Sequence, residues 1–127
     1  MPLTHDHHHA LAQARRLRRD ATGEPETRMV RAREFISFFK SDSVEHFRKE
    51  EEELFPLVVQ HREIRPLLMQ LLIEHIEIHA LVRRLEEEVE SYAVRGETLA
   101  KLGSKLHDHV RLEEKKVFPL IECLASF

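Results

Sequence analysis

Apolar residues recur along this chain at offsets of three and four, the period of a helix with one buried face. Four such segments follow one another. The first runs from Thr4 to Asp20, with Leu3, Ala10, Leu11, Ala14 and Leu17 on its inner line. The second runs from about Glu26 to Val59 and carries Phe35, Phe38, Phe39, then Leu54 and Leu57. The third, from Arg65 to Ala93, turns Leu68, Leu71, Leu72, Val82, Leu85 and Val89 inward. The fourth, from Glu97 to Leu124, does so with Leu99, Leu102, Leu106, Val117, Leu120 and Leu124. Helix-breaking stretches separate them at Ala21-Thr22-Gly23-Glu24-Pro25, at Gln60–Pro66 and at Arg95-Gly96. Ser41-Asp42-Ser43 is expected to interrupt the second segment. No segment alternates as a strand does. The expectation is an all-α fold, an up-down-up-down antiparallel four-helix bundle, with residues 1–127 forming one domain.

The informative positions are those that break the apolar lines. On the third helix His75 and His79 fall between Leu72 and Val82. Four residues apart, they lie within about 40° of each other around the axis. On the fourth, His109 and Glu113 stand where core leucines belong, between Leu106 and Val117. On the second, His46 and Glu50 do the same, and on the first His7 lies between Leu3 and Ala10. His8 is the alternative on that helix, because Leu11 and Ala14 follow it at helical spacing as well. The second and fourth helices repeat one unit: His46 and Glu50 lead to Phe55-Pro56, as His109 and Glu113 lead to Phe118-Pro119.

Five inward imidazoles and two inward carboxylates are costly to bury unless something uses their lone pairs. A metal does so, and imidazole with carboxylate suits iron, with zinc or manganese as alternatives. Two octahedral ions offer about twelve positions. Five imidazoles, two bridging carboxylates and a bridging oxygen fill all but one, which leaves a place for dioxygen. Other metal motifs fail. Residues 75–79 read His-Ile-Glu-Ile-His rather than His-Glu-x-x-His, and no histidine has a glutamate three residues before it, as ferritin-like di-iron helices require.

Composition narrows the surroundings of this site. The single cysteine, Cys123, excludes a disulfide framework and a thiolate zinc site. A net charge of -3 argues against nucleic acid as a partner. No apolar run reaches the ~20 residues of a membrane span, and residues 1–20 lack the core of a signal peptide, so the cytoplasm is the expected location. Arg15, Arg16, Arg18 and Arg19 read as a solvated face or a partner-docking patch. Glu51 and Glu52 read as solvated, Glu53 as an outer partner of the site, and His5, His61 and His107 as surface residues. Cys123 reads as packing, and Tyr92 lies beyond the ligands.

The pattern of a first-helix His, then His46-x-x-x-Glu50, His75-x-x-x-His79 and His109 with a following acid is similar to the hemerythrin-like (HHE cation-binding) domain. The resemblance runs from Asp6-His7 to Phe118-Pro119 and includes both Glu-Glu-x-x-aliphatic-Phe-Pro tails. It implies a four-helix bundle around a non-haem di-iron centre held by His7, His46, Glu50, His75, His79, His109 and an acid after His109. In oxygen-carrying hemerythrins that acid lies five residues after the histidine, which here is Glu114. The internal repeat points to Glu113 instead, and a local bulge would favour Glu114. One iron would take His75, His79 and His109, the other His7 and His46. The resemblance implies binding of dioxygen, a related diatomic or peroxide, more as a carrier or sensor than as an enzyme. The alternatives are a peroxide- or nitric-oxide-reducing enzyme and an iron or metal sensor or store. A sensor or store would work through a protein partner, and a homodimer is a further expectation.

Overall fold

A computed structural model of the chain describes residues 2–125, and side chains within 7–124. The side chains of Leu3 and His5 lie outside the described residues. Among the described residues the structure is all helical, with no strand. Helix α1 spans Pro2–Asp20, α2 residues 25–58, α3 Arg65–Glu90 and α4 residues 96–125. A short 3₁₀ turn, Arg62–Ile64, precedes α3. Helix α1 packs on α2 and α4, and α3 packs on the same two.

Each boundary has a local cause. Pro25 occupies the first turn of α2, where a missing N–H costs nothing. Helix α3 closes with a Schellman pattern: Ala93 N–H donates to Glu88 O and Tyr92 N–H to Val89 O. Tyr92 takes the left-handed position, with φ 53°. The tightest helix pair is α1 with α4. A Cβ at Gly103 would meet Ala14 O at 2.8 Å, so only glycine lets the two backbones come this close.

Three wide π turns set the register of α2 and α4. They are Phe39–Ser43, Glu50–Leu54 and Glu113–Val117. The last two end immediately before Phe55-Pro56 and Phe118-Pro119. Proline donates no N–H, and its ring clashes with the carbonyl four residues back. The widened turn accommodates this: Phe55 N–H reaches Glu50 O, and Phe118 N–H reaches Glu113 O. At the first turn no proline is involved. Ser41 Oγ donates to Phe38 O at 3.3 Å, a side-chain bond that competes with the helical ladder. Ser41-Asp42-Ser43 therefore widens α2 but does not end it.

These turns explain where the expected inner lines shift. Leu57 follows Glu50 by seven residues and would face inward in a regular helix, yet it is 68% exposed. Phe55 and Val58 take the core instead. The same happens on α4, where Phe118 and Ile121 are buried and Leu120 is only half-buried. The core falls into two clusters. One holds Leu17, Phe35, Ile78, Leu85, Leu99 and Leu102; the other, beyond the π turns, holds Phe55, Ile64, Leu68, Leu71 and Val117. The polar set lies between them.

Candidate metal centre

Six of the residues named from the sequence converge between the two apolar clusters. His7, His46, Glu50, His75, His109 and Glu113 are all buried, and both glutamates are 0% exposed. Each helix contributes: α1 gives His7, α2 gives His46 and Glu50, α3 gives His75, and α4 gives His109 and Glu113. The geometry divides them into two sets of four. His7, His46, Glu50 and Glu113 bring ligand atoms within 4.8 Å of one another, as do His75, His109, Glu50 and Glu113. The two carboxylates belong to both sets. A cation held by each set would use every one of these groups.

The histidines offer the right face. Nε2 of His7 lies 2.8 Å from Glu113 Oε1, Nε2 of His46 lies 3.3 Å from Glu50 Oε2, and Nε2 of His75 lies 3.1 Å from Glu50 Oε1. His109 Nε2 is 3.8 Å from Glu113 Oε1. The opposite nitrogens turn outward. His75 Nδ1 pairs with Glu51 at 2.7 Å and His109 Nδ1 with Glu74 at 2.7 Å. With Nδ1–H donating to a carboxylate, the Nε2 lone pair is left for a cation, and the ring is held in place.

The fit to a metal rests on these buried atoms. Both oxygens of Glu50, Oε2 of Glu113, and Nε2 of His75 and His109 have no hydrogen-bond partner among the described residues. Buried acceptors in such number ask for a shared cation. The electrostatics agree. Burial alone would push the His46 imidazole down, yet the carboxylates of Glu113 and Glu50 hold it up at about 10. Burial and the neighbouring Glu113 push Glu50 up. Burial would raise Glu113 too, but its neighbours Glu50, His46 and His7 carry it well below the usual carboxylate range. The two neighbouring carboxyls are thus shifted in opposite directions.

His79 is not brought to this set. It is exposed, and its ring packs edge-on against Phe39 at 5.0 Å and Phe47 at 5.9 Å. The physical reason is Phe47, whose ring stacks on His75 at 3.8 Å and also meets His109 at 5.5 Å. With that ring packed beside His75, Ile78 and not His79 takes the inward position. The fifth-imidazole position expected from the sequence is thus unfilled in this geometry. His7 is inside, while His8 and His9 face solvent. On α4 a bulge does occur, but it begins at Glu113. Up to that residue the helix is regular, with Glu113 N–H on His109 O, so Glu113 points inward and Glu114 lies at the edge, 3.7 Å from His7 Nδ1.

The outer carboxylates differ from the expectation of the sequence. Glu53 is exposed and lies 3.7 Å from Arg48, away from the site. Glu51 and Glu74 do the orienting. The signal for Glu51 was the repeat itself, since Glu51 and Glu114 follow Glu50 and Glu113 at the same place. Glu74 precedes His75 directly, and no helical-face argument singles it out.

Beside the centre is a cavity of about 20 Å³, lined by His7, Ala10, Phe38, Ser43, His46 and Leu106 among others. That is room for one or two water-sized species. No helix of the described residues is long and apolar enough to cross a membrane.

Residues 2–121 match the family model described as the hemerythrin HHE cation binding domain. No curated protein and no solved structure matches the chain.

Proposed function

This chain belongs to the hemerythrin HHE cation-binding domain family, and from that premise we propose that residues 1–127 form one antiparallel four-helix domain that binds dioxygen or a similar small ligand at a non-haem di-iron centre. The observation that carries this is the pair of four-residue sets sharing Glu50 and Glu113. Iron would supply electrons and an exchangeable coordination position for a small ligand. His7 and His46 would hold one ion and His75 and His109 the other, with Glu50 and Glu113 common to both sets.

The residues around the centre support a small, uncharged ligand. The cavity is too small for an organic substrate. Phe38, Leu106 and Ala10 give it an apolar wall, beside the polar Asp42 and Ser43. Glu51 and Glu74 fix the imidazoles of His75 and His109 from outside. Short connections between helices, such as residues 91–95, support the antiparallel order.

The test is a visible spectrum of protein loaded with iron(II) without air, then exposed to air. A charge-transfer band that vanishes when oxygen is removed supports reversible binding. An irreversible ferric spectrum turns the reading towards peroxide or nitric oxide chemistry or redox sensing. Absence of bound iron after loading refutes the centre.

A further inference from the structure

The repeat shared by α2 and α4 reaches past the buried ligands, and one of its contacts is left open. On α3, His75 is set by two residues of the α2 unit. Phe55 lies parallel to its ring at 6.5 Å, and Glu51 takes its Nδ1 at 2.7 Å. On α1, His7 is set by the matching residues of the α4 unit. Phe118 lies parallel to its ring at 5.1 Å, with an interplanar angle of 6°. Glu114 Oε1 faces its Nδ1, but at 3.7 Å, too far for a hydrogen bond.

The two rings are also bonded through opposite nitrogens. His75 is bonded through Nδ1, and its Nε2 has no hydrogen-bond partner among the described residues. His7 is bonded through Nε2, which donates to Glu113 Oε1 at 2.8 Å, and its buried Nδ1 has no hydrogen-bond partner among the described residues. A neutral imidazole carries one N–H. His75 therefore has its Nε2 lone pair ready for a cation, whereas His7 holds its hydrogen where a cation would sit. To give Nε2 to a cation, His7 must carry that hydrogen on Nδ1 instead. A buried N–H without an acceptor is costly, so the exchange needs a partner at Nδ1.

We infer that Glu114 is the positioning residue of His7: once Nε2 is given to a cation, Nδ1–H donates to Glu114 Oε1, as His75 Nδ1–H donates to Glu51. The inference rests on the metal reading of the centre given above. Arg111 prepares the acceptor, because its Nη1 donates to Glu114 Oε2 at 3.0 Å and leaves Oε1 turned to His7. Glu114 is only half-buried, so a side-chain movement of about 1 Å closes the gap without moving α4. Phe118 keeps the plane of the His7 ring meanwhile. The α1 half of the centre is thus completed only when metal enters, whereas His75 and His109 are oriented beforehand by Glu51 and Glu74.

The test uses zinc(II) as a diamagnetic probe and protein labelled with nitrogen-15 in its histidines. In metal-free wild type the His7 ring should show its hydrogen on Nε2. With zinc bound it should show it on Nδ1, as a downfield N–H signal that exchanges slowly with water. Glu114→Ala should keep the helicity and the zinc-bound signals of His75. By competition with a chromophoric chelator it should hold one ion as wild type does and the other about 10- to 100-fold more weakly. Glu51→Ala should do the converse, with the His75 signals altered and those of His7 kept. A Glu114→Ala chain with unchanged zinc affinity overturns the inference. So does a zinc-bound wild type whose His7 Nδ1–H exchanges freely with water, including the case in which Glu114→Ala loses an ion outright because Glu114 is itself a ligand. A wild-type chain that binds no metal removes the centre, and the inference with it.

Discussion

Glu50→Gln should be silent in metal-free protein and loud in metal-loaded protein. Burial and Glu113 hold the Glu50 carboxyl towards its protonated form. Glutamine is neutral like that form and nearly the same in shape. In chelator-treated protein the change should therefore cost under about 1 kcal/mol. A chain of 127 residues unfolds with an entropy that makes 1 kcal/mol worth about 4 °C in Tm. In wild type, metal at about a hundredfold above its Kd adds ~2.7 kcal/mol per site, so two sites raise Tm by about 20 °C. A neutral amide cannot bridge two cations. Loss of ligands from both ions, at about a hundredfold each, leaves the metal near its Kd. The remaining stabilisation is ~0.4 kcal/mol per site, or about 3 °C in all. Differential scanning of both proteins, with chelator and with iron(II) under nitrogen, gives four melting temperatures. The reasoning fails if Glu50→Gln melts far below wild type without metal, because the amide then does not stand in for the Glu50 carboxyl. It fails equally if metal raises both proteins alike, because Glu50 is then not a ligand.

His79→Ala should leave two metal ions per chain by elemental analysis, whereas His75→Ala should lose at least one, since only His75 is turned to the carboxylates. Glu74→Gln weakens the hold on the His109 ring and should lower metal affinity by about 10- to 100-fold, read by competition with a chromophoric chelator. Asp20 bonds to Arg19 and Arg31, and the Arg19 hydrogen bond leads in pulling it from 3.8 down to about 2. Its folded value lies below its unfolded one, so this ion pair contributes fully above about pH 4 and is lost as pH falls towards 2. Asp20→Asn should therefore be about 1 kcal/mol less stable at pH 6 by urea denaturation, and that gap should close near pH 2.

The sequence made most of the centre legible because burial leaves a plain trace. A histidine or glutamate between leucines at helical spacing is out of place on energetic grounds, and His7, His46, Glu50, His75, His109 and Glu113 were all found that way. Helical phase alone does not decide every position. His75 and His79 differ by about 40° on a wheel, and the wheel does not show that Phe47, from another helix, packs against both rings. Leu57 and Leu120 were assigned to the core on a uniform period, and each lies just past a π turn that delays the phase. The prolines at 56 and 119 were visible, but their effect on the preceding turn requires hydrogen-bond bookkeeping that periodicity omits. Glu51 and Glu74 escaped because an orienting carboxylate sits at the rim, where polar residues are expected.

A π turn holds one residue more than the α turn it replaces. Two of them sit at matching places, one directly after each carboxylate that would bridge the ions. In the language of insertions and deletions, α2 and α4 each carry one surplus residue there. Removing one codon within Glu113–Val117 would give a straighter helix with better hydrogen bonds. It would also rotate everything on one side of the cut by about 100°. Either Glu113 leaves the centre, or Phe118 and Ile121 leave the core. Chain length at these two points is therefore tied to chemistry, not to connection. A residue added or lost in the surface turn at residues 91–95 would change only the turn. The same edit inside either π turn would force the protein to choose between its metal site and its fold.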